Sequence, residues 1–193
     1  SNFNNKLSNI ANKLNLYNNE IFFYKNLVDI VDIKKPKFYN VSKKDGIIME
    51  NLNIFKGSFN LNLSKNIKLL MKVVEDAANM HKKFYFVDED SIVTKMKNLQ
   101  TINKIKFYNT FLTERWDIFL EKNKLLLKNE EIKLFKKLLD NFQNNLNFLS
   151  KFPLNFCHGD LKSPNIFYKD NEIPYYLDWQ YIHLGKGISD IVY

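Results

Sequence analysis

The sequence predicts an α+β protein: a helix and a β-hairpin first, a long helical region next, and a second β-hairpin near the end. Three observations carry that expectation. Apolar residues recur at helical spacing over 64–81 and through much of the chain to about 150. Two β-rich stretches, "KFYNVSKKDGIIMENL" (37–52) and "NIFYKDNEIPYYLD" (165–178), each fold back around a polar, turn-forming run. The 193 residues are 45% hydrophobic and 15% aromatic, ample for a packed core.

Each element follows in order. Phe3, Leu7, Ile10, Ala11 and Leu14 fall on one helical face, and a second helical stretch spans about 19–30 before Pro36 breaks the pattern. In the first hairpin the turn is Lys-Asp-Gly, with Gly46 free to adopt positive φ. Polar, irregular chain runs to about Asn62. Ser64 is the expected N-cap of a long helix whose face is Ile67, Leu70, Met71, Val74, Ala77, Ala78 and His81. Breaks are expected near 88–90 and 124–129, and Pro153 closes the helical region. "LNFCHGD" then reads as a short strand entering a loop, followed by the hairpin strands "NIFY" and "PYYLD" around "KDNE".

Composition excludes several classes. Cys157 is the only cysteine, so no internal disulfide forms, and a reducing, cytoplasmic setting is the expectation. No apolar run nears the roughly 20 residues of a membrane span, and "SNFNNKLSNIANKLN" has no signal-peptide core. No membrane partner is expected. The net charge of +8 is spread over lysines with a single arginine, Arg115, which argues against a nucleic-acid reader built on bidentate Arg contacts.

The chemistry concentrates in "CHGDLKSPNIFY" (157–168). Asp160 and Asn165 precede the second hairpin and Asp178 follows it. Antiparallel strands pair about 4.8 Å apart, so the hairpin's two ends bring these groups together. Two carboxylates and an amide oxygen suit Mg²⁺ held jointly with nucleotide phosphates. One carboxylate can hold metal while the other takes a hydroxyl proton, the division of labour in phosphoryl transfer. The bland alternative is that Asp160 and Asn165 only cap loop amides.

His158-Gly159-Asp160 with Asn165 five positions after the Asp, then Asp178-Trp179 and Asp190, resembles the aminoglycoside phosphotransferase and choline kinase superfamily of small-molecule kinases; its ecdysteroid-kinase-like branch is also similar. The resemblance implies a protein-kinase-like fold. Residues 1–52 would be a partial small lobe of helix plus hairpin, and 53–193 a mostly helical large lobe carrying the catalytic hairpin. It further implies ATP and Mg²⁺ as cofactors, Asp160 as catalytic base, and Asn165 and Asp178 as metal ligands. Glu20, in "NEIFFY", would pair with the nucleotide-binding lysine, and Glu50, Asn51 and Leu52 would meet adenine at the hinge. Asp190 would tie its helix to the loop, while His158 would brace that loop. Lys162, two residues after the Asp, would reach the transferring phosphate as a point charge. His81 and His183 are read as packing or surface residues, and Cys157 as a small buried hydrophobe.

Departures from the family pattern also matter. Residues 1–19 contain no glycine and no Val-Ala-Ile-Lys-like strand precedes Glu20, so a fragment of a longer kinase is the expectation. Gly159 replaces the Arg that protein kinases place before the Asp, and eleven residues separate Asp178 from Asp190. Both features favour a small hydroxyl-bearing acceptor over a protein. No dense acidic run invites a polycationic aminoglycoside. The alternative is a kinase-like scaffold that binds without turning over; oligomeric state has no signature.

Overall fold

The computed structural model describes residues 8, 11, 12, 14–42, 46–84, 109–149 and 154–192. The chain divides into two units, residues 1–96 with 153–193, and residues 97–152. Among the described residues, the first holds helices α1 (Leu16–Asn26) and α2 (Ile67–Lys83) and seven short strands. These are β1 (Phe38–Ser42), β2 (Gly46–Met49), β3 (Gly57–Ser58), β4 (Asn155–Cys157), β5 (Ile166–Lys169), β6 (Ile173–Tyr176) and β7 (His183–Gly185). The second holds α3 (Trp116–Asn123), α4 (Asn129–Asp140) and α5 (Phe142–Leu149).

Both expected hairpins form. β1 pairs antiparallel with β2, with Ser42 opposite Gly46, whose φ of 78° only glycine adopts without strain. The remainder of that turn, 43–45, lies outside the described residues, as do most of the expected first helix, the 88–90 break and Pro153. The break at 124–129 separates α3 from α4. β5 pairs antiparallel with β6 around a turn in which Asp170 and Asn171 take left-handed backbone at φ 54° and 58°. Small polar side chains tolerate that conformation best after glycine. The stretch expected to be irregular before 62 contributes β3, which adds to the other edge of β5.

The second helix begins earlier than its periodicity suggests, at Leu16. Asn15, in left-handed conformation at φ 59°, precedes its first turn. For α2 the N-cap is Asn66, whose side chain accepts from Leu69 N–H at 3.1 Å; Ser64 lies instead in a 3₁₀ turn. Moving the start shifts no residue, but the buried face differs from expectation. Leu69, Val73, Ala77, Met80 and His81 are buried, whereas Ile67 and Met71 are 63% and 58% exposed. Apolar residues occupy more than one row of this helix, so spacing alone leaves its rotation open by about one position.

The core is aromatic. Phe23 of α1 stacks on Trp179 with ring centroids 3.9 Å apart and planes within 4°. Phe156 of β4 lies parallel to both, at 6.5 and 6.4 Å, and the His158 ring sits 4.5 Å from Trp179. All four side chains are fully buried. In the second unit, Phe119 of α3 meets Phe135 of α4 edge-on at 6.1 Å. Among the described residues no helix is long and apolar enough to cross a membrane.

Because the Trp179 indole has no exposed surface and contacts α1, β4 and the loop residue His158 together, Trp179→Ala should lower unfolding stability by about 3–5 kcal/mol. Urea unfolding checks this; a loss under about 1 kcal/mol would contradict the packing described.

Candidate active site

The site is assembled by backbone contacts between distant segments. β4 runs into the loop 158–165, a 3₁₀ turn at Ser163–Asn165 feeds β5, and β6 returns to Leu177 and Asp178. The hairpin's ends are joined directly, since Leu177 N–H donates to Asn165 O at 2.9 Å. The convergence expected from the strand spacing is therefore realised for Asn165 and the segment entering Asp178.

Asp160 sits at the centre, 4% exposed. Asn165 Nδ2 donates to its backbone O at 2.9 Å and to its Oδ2 at 2.8 Å. That double contact fixes the amide's orientation and leaves Asn165 Oδ1 as the acceptor atom. Asp160 Oδ1 is buried without a hydrogen bond, and its partner is the Lys162 ammonium at 2.9 Å. Lys162 is the more exposed member, so its charge is hydrated while the carboxylate is not.

His158 braces the loop as the neutral imidazole. Its Nε2–H donates to Leu177 O at 3.0 Å, and its Nδ1 accepts from Asp160 N–H at 3.3 Å. Complete burial holds its pKa below the usual range, overcoming the pull of Asp190. Gly159 takes φ 83°, and a Cβ there would strike the Tyr181 carbonyl and approach His183 Nδ1 to 2.9 Å. Glycine at this position is a steric requirement.

Asp190 is the anchor of the loop. Its Oδ2 accepts from His158 N–H at 2.8 Å and from His81 Nε2 at 3.0 Å, and its Oδ1 accepts from Gly159 N–H at 2.8 Å. Burial alone would raise its pKa; donation from His81, Gly159 and His158 outweighs that and holds the group below the usual carboxylate range. His81 is thus more than a packing residue, a role that the sequence signalled only through its place at the end of a long helix. The same helix supplies Asp76, whose Oδ2 accepts from the buried Tyr176 hydroxyl at 3.0 Å.

Asp178 adopts left-handed backbone, φ 62° and ψ 64°, a conformation that costs a non-glycine residue roughly 1 kcal/mol or more. Partial burial and the neighbouring Asp160 charge raise its pKa. Glu20 projects from α1 toward the same place: burial, then the Asp178 charge, push its pKa up to about 7, against a hydrogen bond from Trp179 N–H. α1 is held there by the Phe23–Trp179 stack and by Asn19 Nδ2, which donates to Gln180 O at 3.1 Å. Three carboxyl groups consequently share one corner of the protein.

The hinge candidates are more ordinary. Glu50 N–H donates to Lys37 O at 2.8 Å and its Oε2 accepts from Lys37 N–H at 3.2 Å. Asn51 caps the next turn through Asn53 N–H at 3.0 Å, and Leu52 is buried. Cys157 is buried and its thiol pushed up to about 12 by desolvation, which leaves it an unreactive core group.

The fold is that of the protein-kinase-like aminoglycoside kinases. It is similar to the structure of a ternary complex of streptomycin, ATP and APH(2″)-IIa, with a TM-score of 0.53 and 21% identity. That similarity covers 94% of this chain and 58% of the other, so the chain spans little more than half the neighbour's length. Residues 95–193 match the model of the phosphotransferase enzyme family, and the chain belongs to that family. No curated relative matches it.

The Glu20 carboxyl yields a pH test. In the unfolded chain it releases its proton near 4.5, whereas in the folded protein it holds it to about 7. The stability that this proton contributes is complete below 4.5 and lost as pH rises through 7. Thermal midpoints of Glu20→Gln and the parent should therefore diverge in the variant's favour between pH 5 and pH 8. A constant difference across that range would show that burial and the Asp178 charge do not raise the Glu20 pKa.

Proposed function

We propose that this chain carries the catalytic loop of an ATP-dependent phosphotransferase acting on a hydroxyl of a small molecule. The observation that supports it most is the arrangement around Asp160: a buried carboxylate held by Asn165 at 2.8 Å and by Lys162 at 2.9 Å, with the Asp178 charge acting on the same corner. In the proposed reaction Asp160 orients the acceptor hydroxyl and takes its proton as the O–H bond breaks. The acceptor oxygen bonds to the γ-phosphorus while the bond from that phosphorus to the β–γ bridging oxygen breaks, leaving ADP. Lys162 meets the charge on the transferring group.

The donor set fits a hard divalent cation. Asn165 Oδ1 and the Asp178 carboxylate would hold Mg²⁺, and their oxygens are the ligand type that ion selects. When bound, the ion would neutralise charge on the nucleotide phosphates. Glu20 would receive the lysine of the nucleotide-binding strand, and adenine would meet the backbone near Glu50, Asn51 and Leu52. The division into a small lobe over 1–52 and a large lobe over 53–193 belongs to the same proposal, as does a soluble, cytoplasmic setting without nucleic-acid partners.

A second reading, a kinase-like scaffold that binds nucleotide without turnover, draws on one observation. Among the described residues, none of the ion pairs found involves Glu20. A thermal shift with Mg²⁺-ATP but no ATP consumption over an acceptor panel would favour it.

The catalytic reading predicts that Asp160→Asn lowers kcat by roughly 10²–10⁴-fold, the usual contribution of a positioned base. Lys162→Ala should lower kcat by about 10²-fold while leaving ATP affinity within roughly twofold. Steady-state kinetics beside direct ATP titration separates the two, and equal effects on kcat and ATP affinity would remove Lys162 from its assigned role.

A further inference from the structure

The connection between α3 and α4 holds two leucines out of the protein. Leu125 and Leu126 are 93% and 80% exposed, the highest values for large apolar side chains among the described residues. Single exposed apolar residues are commonplace, but two adjacent ones at a tip form a patch that gains by leaving water. The turn that presents them is tied at both ends. Leu126 and Leu127 N–H both donate to Asn123 O, at 2.8 and 3.1 Å, and Lys128 N–H donates to Glu131 Oε2 at 2.7 Å.

Lysines surround the pair. The run "KNKLLLK" (122–128) carries Lys122, Lys124 and Lys128 and no acid. All three are exposed, and among the described residues none of the ion pairs found involves them. The pattern continues along α4, where Leu134 and Leu138, one turn apart on the same side, are 55% and 48% exposed beside the exposed Lys133 and Lys137. Phe135 instead meets Phe119 of α3, so the helix spends a different side on its own unit.

Apolar tips within a field of cations fit a surface that offers hydrocarbon beneath a layer of negative charge. Burying one leucine favours partition by roughly tenfold or more, and each lysine near an anionic leaflet adds about fivefold. The kind of cation matters too. A single defined acid or phosphate is best read by the planar fork of Arg, whereas lysines are hydrated point charges on flexible stems, suited to a diffuse and fluid array of charge. Nucleic acid would leave both leucines in water, with no aromatic ring in 122–128 on which a base could stack.

We propose that this face of the helical unit is a docking surface for an anionic lipid bilayer, with Leu125 and Leu126 entering the headgroup region and the lysines meeting the lipid charge. It departs from the expectation of no membrane partner, which rested on the lack of an apolar spanning run; such a surface lies on a bilayer without crossing it. The proposal stands independently of the phosphotransferase reading.

The test uses the full chain with phosphatidylcholine vesicles, pure or containing phosphatidylserine. Co-sedimentation should give a partition constant at least tenfold higher on the phosphatidylserine vesicles, and added salt should lower it. Leu125→Asp combined with Leu126→Asp should lower it at least tenfold, and Lys124→Gln combined with Lys128→Gln should lower it about as much, at thermal midpoints like the parent's because these side chains are exposed. Leu125→Cys labelled with the environment-sensitive fluorophore NBD should shift its emission to the blue on those vesicles; Cys157 is buried and stays unlabelled. Equal binding to the two vesicle types, or binding with unshifted NBD emission, would overturn the proposal. So would tighter, salt-sensitive binding to single-stranded RNA, which would give the lysines to a nucleic acid. A dimer in solution that the paired aspartate variant abolishes would overturn it as well, by giving the leucines to a second copy of this chain.

Discussion

The Asp190 carboxylate is the constraint on which the site depends. It is 3% exposed, yet it stays charged because three N–H groups point at it, from His81 and from the amides of His158 and Gly159. A buried charge with three donors is stable, whereas the same charge without them would take up a proton. Holding two consecutive amides fixes the backbone where the loop turns. Gly159 can then take its positive φ, and the next residue, Asp160, is delivered with its side chain inward.

From that anchor the order spreads through His158. Its ring links Asp160 N–H to Leu177 O, spanning the loop and the far end of the hairpin in one side chain. Trp179 lies against the ring, and Phe23 lies against Trp179, which carries the order into α1 and places Glu20 near Asp178. Two carboxyl groups with raised pKa values, Glu20 and Asp178, therefore sit beside a third, Asp160, that is already held by a lysine. Hydrogen bonds from Gln180 to Asp178 and from Trp179 to Glu20, with the Lys162 charge near Asp178, offset part of this repulsion, and added positive charge at the corner would offset more.

Much of this was legible in the sequence because the chemistry is local. His158, Asp160, Lys162 and Asn165 fall within eight positions, and the hairpin that returns Asp178 is written in two β-rich apolar runs around a polar turn. What stayed hidden depends on packing over long separations. The His81–Asp190 contact joins residues 109 positions apart and the Tyr176–Asp76 contact residues 100 apart. Spacing could place His81 on a helix face but could not say which carboxylate that face would meet. The α2 cap was missed because Ser64 and Asn66 are both good capping residues, and the 3₁₀ turn takes the first of them. The rotation of α2 was missed because Leu70 and Val74 are as apolar as the true core row of Leu69 and Val73, and spacing alone does not choose between adjacent rows.

In the proposed site, Asp178 and Asn165 would hold a divalent cation beside Asp160 when nucleotide is present. Mn²⁺ electron paramagnetic resonance, titrated with and without ATP, measures this most directly. One ATP-dependent Mn²⁺ site is expected, its affinity falling at least tenfold in Asp178→Asn, with a smaller loss in Asn165→Ala. Equal Mn²⁺-ATP binding by the parent chain and by Asp178→Asn would contradict it.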